Sequence, residues 1–284
     1  MATNANSSVV QRDGWTLLLA DSGTLAPELR EEVIAIALQA AAGTAGQRVR
    51  RSLHAETWLA KVGGTAGRDL FVKIIHPHRG LAALKQRLRG SPAAHVAAIS
   101  ASLRRYGFTA PSPMLRGSEA ASGREIIVAA RVAGVLLPRL LREKRLGAQG
   151  NRAMLRALGM EVARLHRAGY IHGDLTPFNI VVSDESAARF VFLDNERTRK
   201  TWFARLTRPR LRNLVQLGHF DLPGLTRAGK MRVWCGYADA YGPPRERAWL
   251  RRVARMIQKR RGRDRRKAQA HSQRIVAHGE VGET

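Results

Sequence analysis

Cysteine is nearly missing from this 284-residue chain; Cys235 is the single one. One thiol excludes an internal disulfide framework and a metal site built from several thiolates, and it suits a reducing compartment. Long apolar runs are missing too: no stretch approaches the roughly 18 uncharged residues of a spanning helix. The opening Met-Ala-Thr-Asn-Ala-Asn-Ser-Ser has no charged-then-apolar leader. Together these features imply a cytoplasmic protein. Internal repeats are absent. Negative charge is scarce, with 22 Asp and Glu against 49 Lys and Arg and a net charge of +27. Such an imbalance favours polyanionic partners: nucleic acid, anionic lipid headgroups or a phosphorylated substrate. Nucleic acid is the weaker of these, since the chain has no zinc knuckle, aromatic stacking motif or recognition-helix pattern.

The length allows one large domain or two small lobes around a cleft, and 44% hydrophobic residues suffice for a core. Residues 1–13 read as loose. Trp15–Leu19 reads as a first strand. Pro27–Ala41 reads as a helix, with Leu29, Val33, Ile36 and Ala40 at helical spacing and Gly43 as its stop. Strand-like stretches within 50–62, a glycine turn at 63–67 and the strand 70–75, ended by Pro77, suggest a hairpin. Ser91-Pro92 opens a second helix, which carries Ile99 and Leu103 and stops at Gly107. Glu125–Val132 reads as a strand. Arg152–Arg167 is the clearest helix, with Leu155, Leu158, Val162 and Leu165 on one face and Gly169 as cap. Two further strands follow, at 180–182 and 189–193, and 199–258 reads as mostly helical.

The chemistry concentrates in two segments. The first is His172-Gly173-Asp174-Leu175-Thr176-Pro177-Phe178-Asn179, and the second is Phe192-Leu193-Asp194-Asn195-Glu196 after a short apolar run. An Asp and an Asn five positions apart, followed by a second Asp at a strand end, form the set that kinase-fold phosphotransferases require. Asp174 would accept or orient the proton of a substrate hydroxyl. Asn179 and Asp194 would offer hard oxygen ligands to Mg²⁺ against the phosphates of ATP. His172 falls in the catalytic segment with a structural role, bonding backbone near the metal-binding residues. Lys73 lies mid-strand among Phe71, Val72, Ile74 and Ile75. A lysine there either points to solvent or meets a fixed anion, and beside ATP that anion is phosphate. The adenine would bond main chain near Ala130 and Val132.

These segments resemble the lipopolysaccharide kinase family that phosphorylates Kdo or heptose sugars of the inner core. The resemblance spans roughly residues 50–255. It rests on the catalytic segment 172–179, on Asp194-Asn195-Glu196-Arg197, on Phe71-Val72-Lys73, and on Arg212-Asn213-Leu214-Val215-Gln216-Leu217. It implies an α+β, two-lobed protein-kinase-like fold. Residues 1–130 form an antiparallel-sheet lobe with the nucleotide lysine, 131–258 form a helical lobe with both loops, and 259–284 form a loose basic tail. It further implies the use of ATP and Mg²⁺ on a lipopolysaccharide or lipid-linked sugar; a monomer is expected. Arg251, Arg252, Arg255, Lys259 and their neighbours, interleaved with Trp249, Leu250, Val253, Met256 and Ile257, would form an amphipathic helix on the anionic inner face of the inner membrane.

Three departures stand against the family pattern. Asn195 replaces the usual aromatic. The helix from Pro92 has no glutamate for Lys73, and His95 stands near its place, so Lys73 either lacks a carboxylate partner or takes one from elsewhere, such as Glu56. No glycine-rich loop precedes the strand 57–62. A kinase for another small-molecule or protein acceptor, and a catalytically weak kinase-like module binding membrane or nucleic acid, are the alternatives.

Overall fold

The computed structural model describes residues 8–20, 26–63, 67–77, 80, 90–201, 207–242, 250–264 and 266. The chain divides into two compact units, 1–133 with 191–196, and 134–190 with 197–284. The segment 191–196, assigned from sequence to the helical lobe, therefore belongs with the sheet.

Alternation of apolar and polar residues builds the first unit. Its strands are β1 (Ser8–Arg12), β2 (Trp15–Leu19), β3 (Gln47–Arg51), β4 (Ala55–Val62), β5 (Arg68–Ile75), β6 (Pro113–Glu119) and β7 (Glu125–Ala130). They form one antiparallel sheet in the order β1-β2-β6-β7-β5-β4-β3. Helix α1 (Pro27–Ala42) lays Val33, Ile34, Ala37 and Ala40 on one face of it, against Leu17, Leu70, Val72, Ile74, Leu115, Ile126 and Val128. Gly43, at φ 83°, ends α1 in the left-handed conformation that glycine adopts freely. Arg124 ties the β6–β7 hairpin to this helix, pairing with Glu119 and donating to the Ala41 carbonyl at 3.0 Å.

Helix α2 (Pro92–Arg105) packs near the other face, where Ile75, Ala93 and Ile127 cluster. Ser91 caps it by accepting the Ala94 N–H at 3.1 Å. Glu125 reinforces the cap, accepting the Ser91 hydroxyl and the Ala93 N–H at 2.7 Å each.

Residues 8–12 are ordered into β1, where a loose start is expected from the sequence. Asp13 and Gly14 turn β1 into β2 with φ of 51° and 79°. An Asp-Gly pair between apolar runs is the signal of such a hairpin. The turn residues 64–66 lie outside the described residues, but β4 and β5 pair from Ala55↔Ile75 to Val62↔Arg68, as a hairpin requires.

The second unit holds α3 (Leu137–Glu143), α4 (Gly147–Arg167), α5 (Thr207–Gly218) and α6 (Arg227–Tyr241), with short strands β8 (Val135–Leu136), β9 (Tyr170–Ile171), β10 (Ile180–Asp184) and β12 (Arg199–Lys200). Strand β11 (Arg189–Phe192) carries the chain into the segment that rejoins the first unit. α3 is additional to the sequence reading, and α4 starts before the expected Arg152. Gly147 and Gly150 hide that start, because glycine weakens the helical signal. Leu155, Leu158, Val162 and Leu165 are all buried, as their spacing demands. α4 and α6 approach backbone to backbone at two glycines. A Cβ on Gly159 would strike the Val233 carbonyl, and one on Gly236 would strike that of Arg156.

Residues 250–264 are helical. The expected loose tail from 259 is therefore corrected over its first six residues, 259–264. Val253 is buried, and a Cβ on Gly218 would lie 3.0 Å from Ile257 Cδ1. Arg261 donates to the His219 carbonyl at 2.7 Å and pairs with Asp221. Docking of Arg261 thus extends the helix past the last apolar residue. Trp249, Arg265 and 267–284 lie outside the described residues.

Replacing Gly159 by Ala forces two helices apart and is expected to cost about 1–3 kcal/mol. Gly262→Ala meets nothing within 4 Å and is expected to stabilise by up to about 1 kcal/mol. Urea unfolding of both variants checks the pair.

Candidate active site

In β5 the side chains of Val72 and Ile74 enter the core, so Lys73 points to the opposite face of the sheet. There its ammonium lies 3.1 Å from Asp194 Oδ1 and 2.5 Å from Glu196 Oε1. Burial acts to lower the Lys73 pKa. The charges of Asp194 and then Glu196 outweigh it, so the pKa is raised and the ammonium persists at neutral pH. The segment with these carboxylates is fixed to its own unit by a bridge between Thr109 and Val191.

Asp194 sits at φ 57°, a left-handed conformation that Asp tolerates better than most residues and that recurs at functional sites. Asn195 is buried and donates its side-chain N–H to the Phe192 carbonyl at 3.0 Å. A local hydrogen bond thus occupies the place where the family pattern has an aromatic.

Glu56 is not the partner of Lys73. It lies on the core face of the sheet within 3.8 Å of Arg48, 3.5 Å of Arg51 and 3.6 Å of His76. Glu196 supplies the carboxylate missing from α2. The signal was Asp-x-Glu itself, since a 3-10 turn over Asn195–Arg197 places Glu196 on the same lysine as Asp194. Ala130 ends β7 opposite Leu70, and Val132 follows two residues on, in the same unit. Arg131 between them donates its N–H to the Asp69 carbonyl at 2.8 Å, which anchors this stretch.

The second unit assembles the other group. Strand β9, pinned by Arg199↔Ile171 and Lys200↔Tyr170, leads into His172. His172 is fully buried, and its Nδ1 accepts the Asp174 N–H at 3.1 Å. It is a positioning residue that acts on the loop backbone. Gly173 is required because a Cβ would strike the Arg197 backbone. Pro177–Asn179 form a 3-10 turn that brings Asn179 back to Asp174. The Asn179 amide donates to the Asp174 carbonyl at 2.9 Å and to its Oδ2 at 3.3 Å.

A chain of buried polar groups holds this loop from behind. Asn213 Oδ1 accepts the His172 N–H at 3.1 Å, and Asn213 Nδ2 donates to the His172 carbonyl and to Gln216 Oε1. Gln216 Nε2 then donates to the Gly173 carbonyl at 3.1 Å and lies 3.5 Å from Asp174 Oδ1. His166 Nε2 meets Asn213 Oδ1 at 3.1 Å, and its Nδ1 meets the Tyr237 hydroxyl at 2.9 Å. Every direction is forced. Asp174 as a carboxylate only accepts, so Gln216 must present N–H to it. Asn213 then presents Oδ1 to His166, so the His166 proton is on Nε2 and Tyr237 donates to Nδ1. Burial pushes the Tyr237 pKa up, which keeps that hydroxyl protonated. From the sequence, Asn213 and Gln216 enter only through the family resemblance. Their spacing of three on a helix, two polar amides on one face, was the available signal.

Mg²⁺ is the metal this fold implies. Asn179 spends its amide N–H groups on Asp174, which leaves its Oδ1 as a neutral oxygen donor without a hydrogen bond among the described residues. In the first unit Asp194 carries an anionic oxygen, and each of these oxygens, taken separately, is of the hard type that Mg²⁺ prefers. Among the described residues no three or more His, Cys, Asp or Glu cluster in a way that could hold a metal.

An antiparallel sheet bearing the lysine, a helical unit bearing the Asp-Asn loop, and an Asp-x-Glu segment define the α+β protein-kinase-like fold. The sequence model described as "Lipopolysaccharide kinase (Kdo/WaaP) family" matches residues 93–237, about half of the chain, and the chain belongs to that family. Among solved structures, WbdD is similar with TM-score 0.48 and 15% identity over 75% of this chain and 50% of that one. A second structure, of the bifunctional kinase-methyltransferase WbdD, gives 0.44 and 18% over 67% and 46%. Rv3197 of Mycobacterium tuberculosis, solved with erythromycin, gives 0.37 and 17% over 55% and 46%. The chain spans about half the length of these structures. No protein with a curated description matches it.

Burial lowers the His166 pKa from 6.5 to about 4. The unfolded chain therefore takes up this proton before the folded one does. Stability from this group is complete above pH 6.5 and falls as the pH drops toward 4, by about 3 kcal/mol in all. Urea unfolding between pH 7 and 4 is expected to show this loss, and a His166→Gln variant to show a shallower slope.

Proposed function

We propose that this protein transfers the γ-phosphoryl group of ATP to a sugar hydroxyl of the lipopolysaccharide inner core, on Kdo or heptose. The observation that carries the proposal is the Lys73 ammonium, held charged beside Asp194 and Glu196. A half-buried cation poised on the carboxylate that would bind metal is the arrangement phosphate recognition requires. In this reading Asp174 orients the acceptor hydroxyl and takes its proton, its carboxylate aimed by Gln216 and Asn179. Lys73 contacts phosphate oxygens, and Asn179 and Asp194 are the residues that would hold Mg²⁺. When bound, the ion would neutralise charge on the phosphates. Main chain near Ala130 and Val132 would bond the adenine.

Glu196 answers one of the three departures, since Lys73 does have a carboxylate partner. The reading predicts that ATP with magnesium raises the melting temperature of the full chain. A ligand at about 100 times its Kd adds about 2.7 kcal/mol to the native state. Asp194→Ala is expected to lose the magnesium-dependent part of that rise, and Asp174→Ala to keep it. No rise at millimolar ATP contradicts the proposal.

An anionic membrane surface is the partner that fits a lipid-linked acceptor. No helix among the described residues is long and apolar enough to cross a membrane. In the helix 250–264, Val253 is buried and Ile257 lies against Gly218, while Arg251, Arg252, Arg255 and Lys259 are exposed. Its main apolar residues are thus engaged within the protein, so attraction to lipid is electrostatic and not by insertion of an apolar face. Each such cation contributes roughly 1 kcal/mol near an anionic surface. Changing these four to Gln is expected to weaken binding to anionic vesicles at least about tenfold while leaving the fold intact. Truncation after Met256 is a poorer test, because it removes the docked Ile257 and Arg261. Tighter binding to RNA than to vesicles of matched charge would favour nucleic acid instead.

A further inference from the structure

Strand β3 contains three arginines, Arg48, Arg50 and Arg51, and a bulge decides where each one points. The register runs Arg48↔Trp58, then Arg50↔Thr57 and Arg51↔Glu56, with the irregularity between Arg48 and Arg50. In an unbroken strand Arg48 and Arg50 would share a face. The extra residue, Val49, reverses that, as bulges do when they re-aim a side chain. Arg48 and Arg51 therefore fall on the core face, and both reach Glu56. Arg50 falls on the other face, in a cross-strand row with Thr57 and Lys73. It is exposed, and among the described residues it makes no ion pair.

The turn that follows cannot serve as a backbone anion cradle. The Ser52 hydroxyl accepts the N–H groups of His54 at 3.3 Å and Ala55 at 3.0 Å. The Ser52 N–H is itself given to the Ala55 carbonyl at 2.9 Å. A cradle for phosphate needs such N–H groups free. The turn thus has no glycine, and the N–H groups of Ser52, His54 and Ala55 are already engaged. What the strand pair offers on the Lys73 face is one unneutralised guanidinium, two strands and roughly 10 Å from the Lys73 backbone.

We propose that Arg50 is a polyphosphate-binding residue, which replaces with a side-chain cation the contacts a glycine-rich turn makes with its backbone. The inference rests on the nucleotide reading given above and adds to it the residue that grips the phosphate chain together with Lys73. A planar guanidinium suits phosphate oxygens through paired hydrogen bonds, and such charge-assisted bonds are among the stronger ones.

The test is isothermal titration of the full-length chain, with magnesium present, against ATP and against adenosine. Wild type is compared with Arg50→Gln, Arg50→Lys and Arg51→Gln. Arg50→Gln is expected to weaken ATP binding about tenfold or more and to leave adenosine binding unchanged. Arg50→Lys is expected to recover part of the ATP affinity, and Arg51→Gln to match wild type for ATP. If wild type binds ATP and Arg50→Gln binds it equally well, or loses adenosine to the same degree, the assignment of Arg50 is wrong and the nucleotide reading stands. If wild type binds no ATP, the nucleotide reading and this inference fall together.

Discussion

A lysine ammonium set into a strand and largely withdrawn from water must be matched by negative charge, and much of the first unit follows from that demand. Lys73 obtains its match from Asp194 and Glu196, which are remote in sequence. The chain therefore has to return to the sheet after β10, and it does so for only six residues, 191–196. The left-handed backbone at Asp194, the buried Asn195 and the bridge at Val191 all serve that short return. The arrangement also compensates for an absence, because α2 has no acidic residue to offer.

The second unit solves a different problem, which is to hold a carboxylate still without burying it. Asp174 keeps partial exposure, and the rigidity comes from amides behind it. Asn213 uses both lone pairs and both N–H groups on His166, His172 and Gln216. A fully satisfied buried network fixes one geometry, whereas a partly satisfied one would cost stability. The network in turn depends on helix contact. His166 on α4 reaches Tyr237 on α6 because Gly159 and Gly236 let the two backbones approach.

How much of this was legible in the sequence varies with the range of the interaction involved. Strands β2 and β5, helices α1 and α2 and the core stripe of α4 were readable, since periodicity and caps are local. The approach of Asn179 to Asp174 was readable, because the two lie five positions apart in one short loop. The partner of Lys73 was not, since Glu56 lies one strand away yet on the wrong face, a matter of register. The role of Asn213 in anchoring His172 was hidden because it spans 41 positions. The docking of Arg261 was hidden because a charged residue gives no burial signal until its partners, here the His219 carbonyl and Asp221, are known.

Phosphoryl transfer directed by Asp174, as proposed, is tested best by direct observation of the product. Purified protein would be incubated with ATP, magnesium and a dephosphorylated inner-core glycolipid, and the glycolipid examined by mass spectrometry. A single added phosphate on a Kdo or heptose residue is expected with wild type and none with Asp174→Ala. An acceptor that stays unmodified by an ATP-binding wild type would contradict the proposed acceptor class. Equal phosphorylation by both proteins would contradict the role of Asp174, and with it the mechanism.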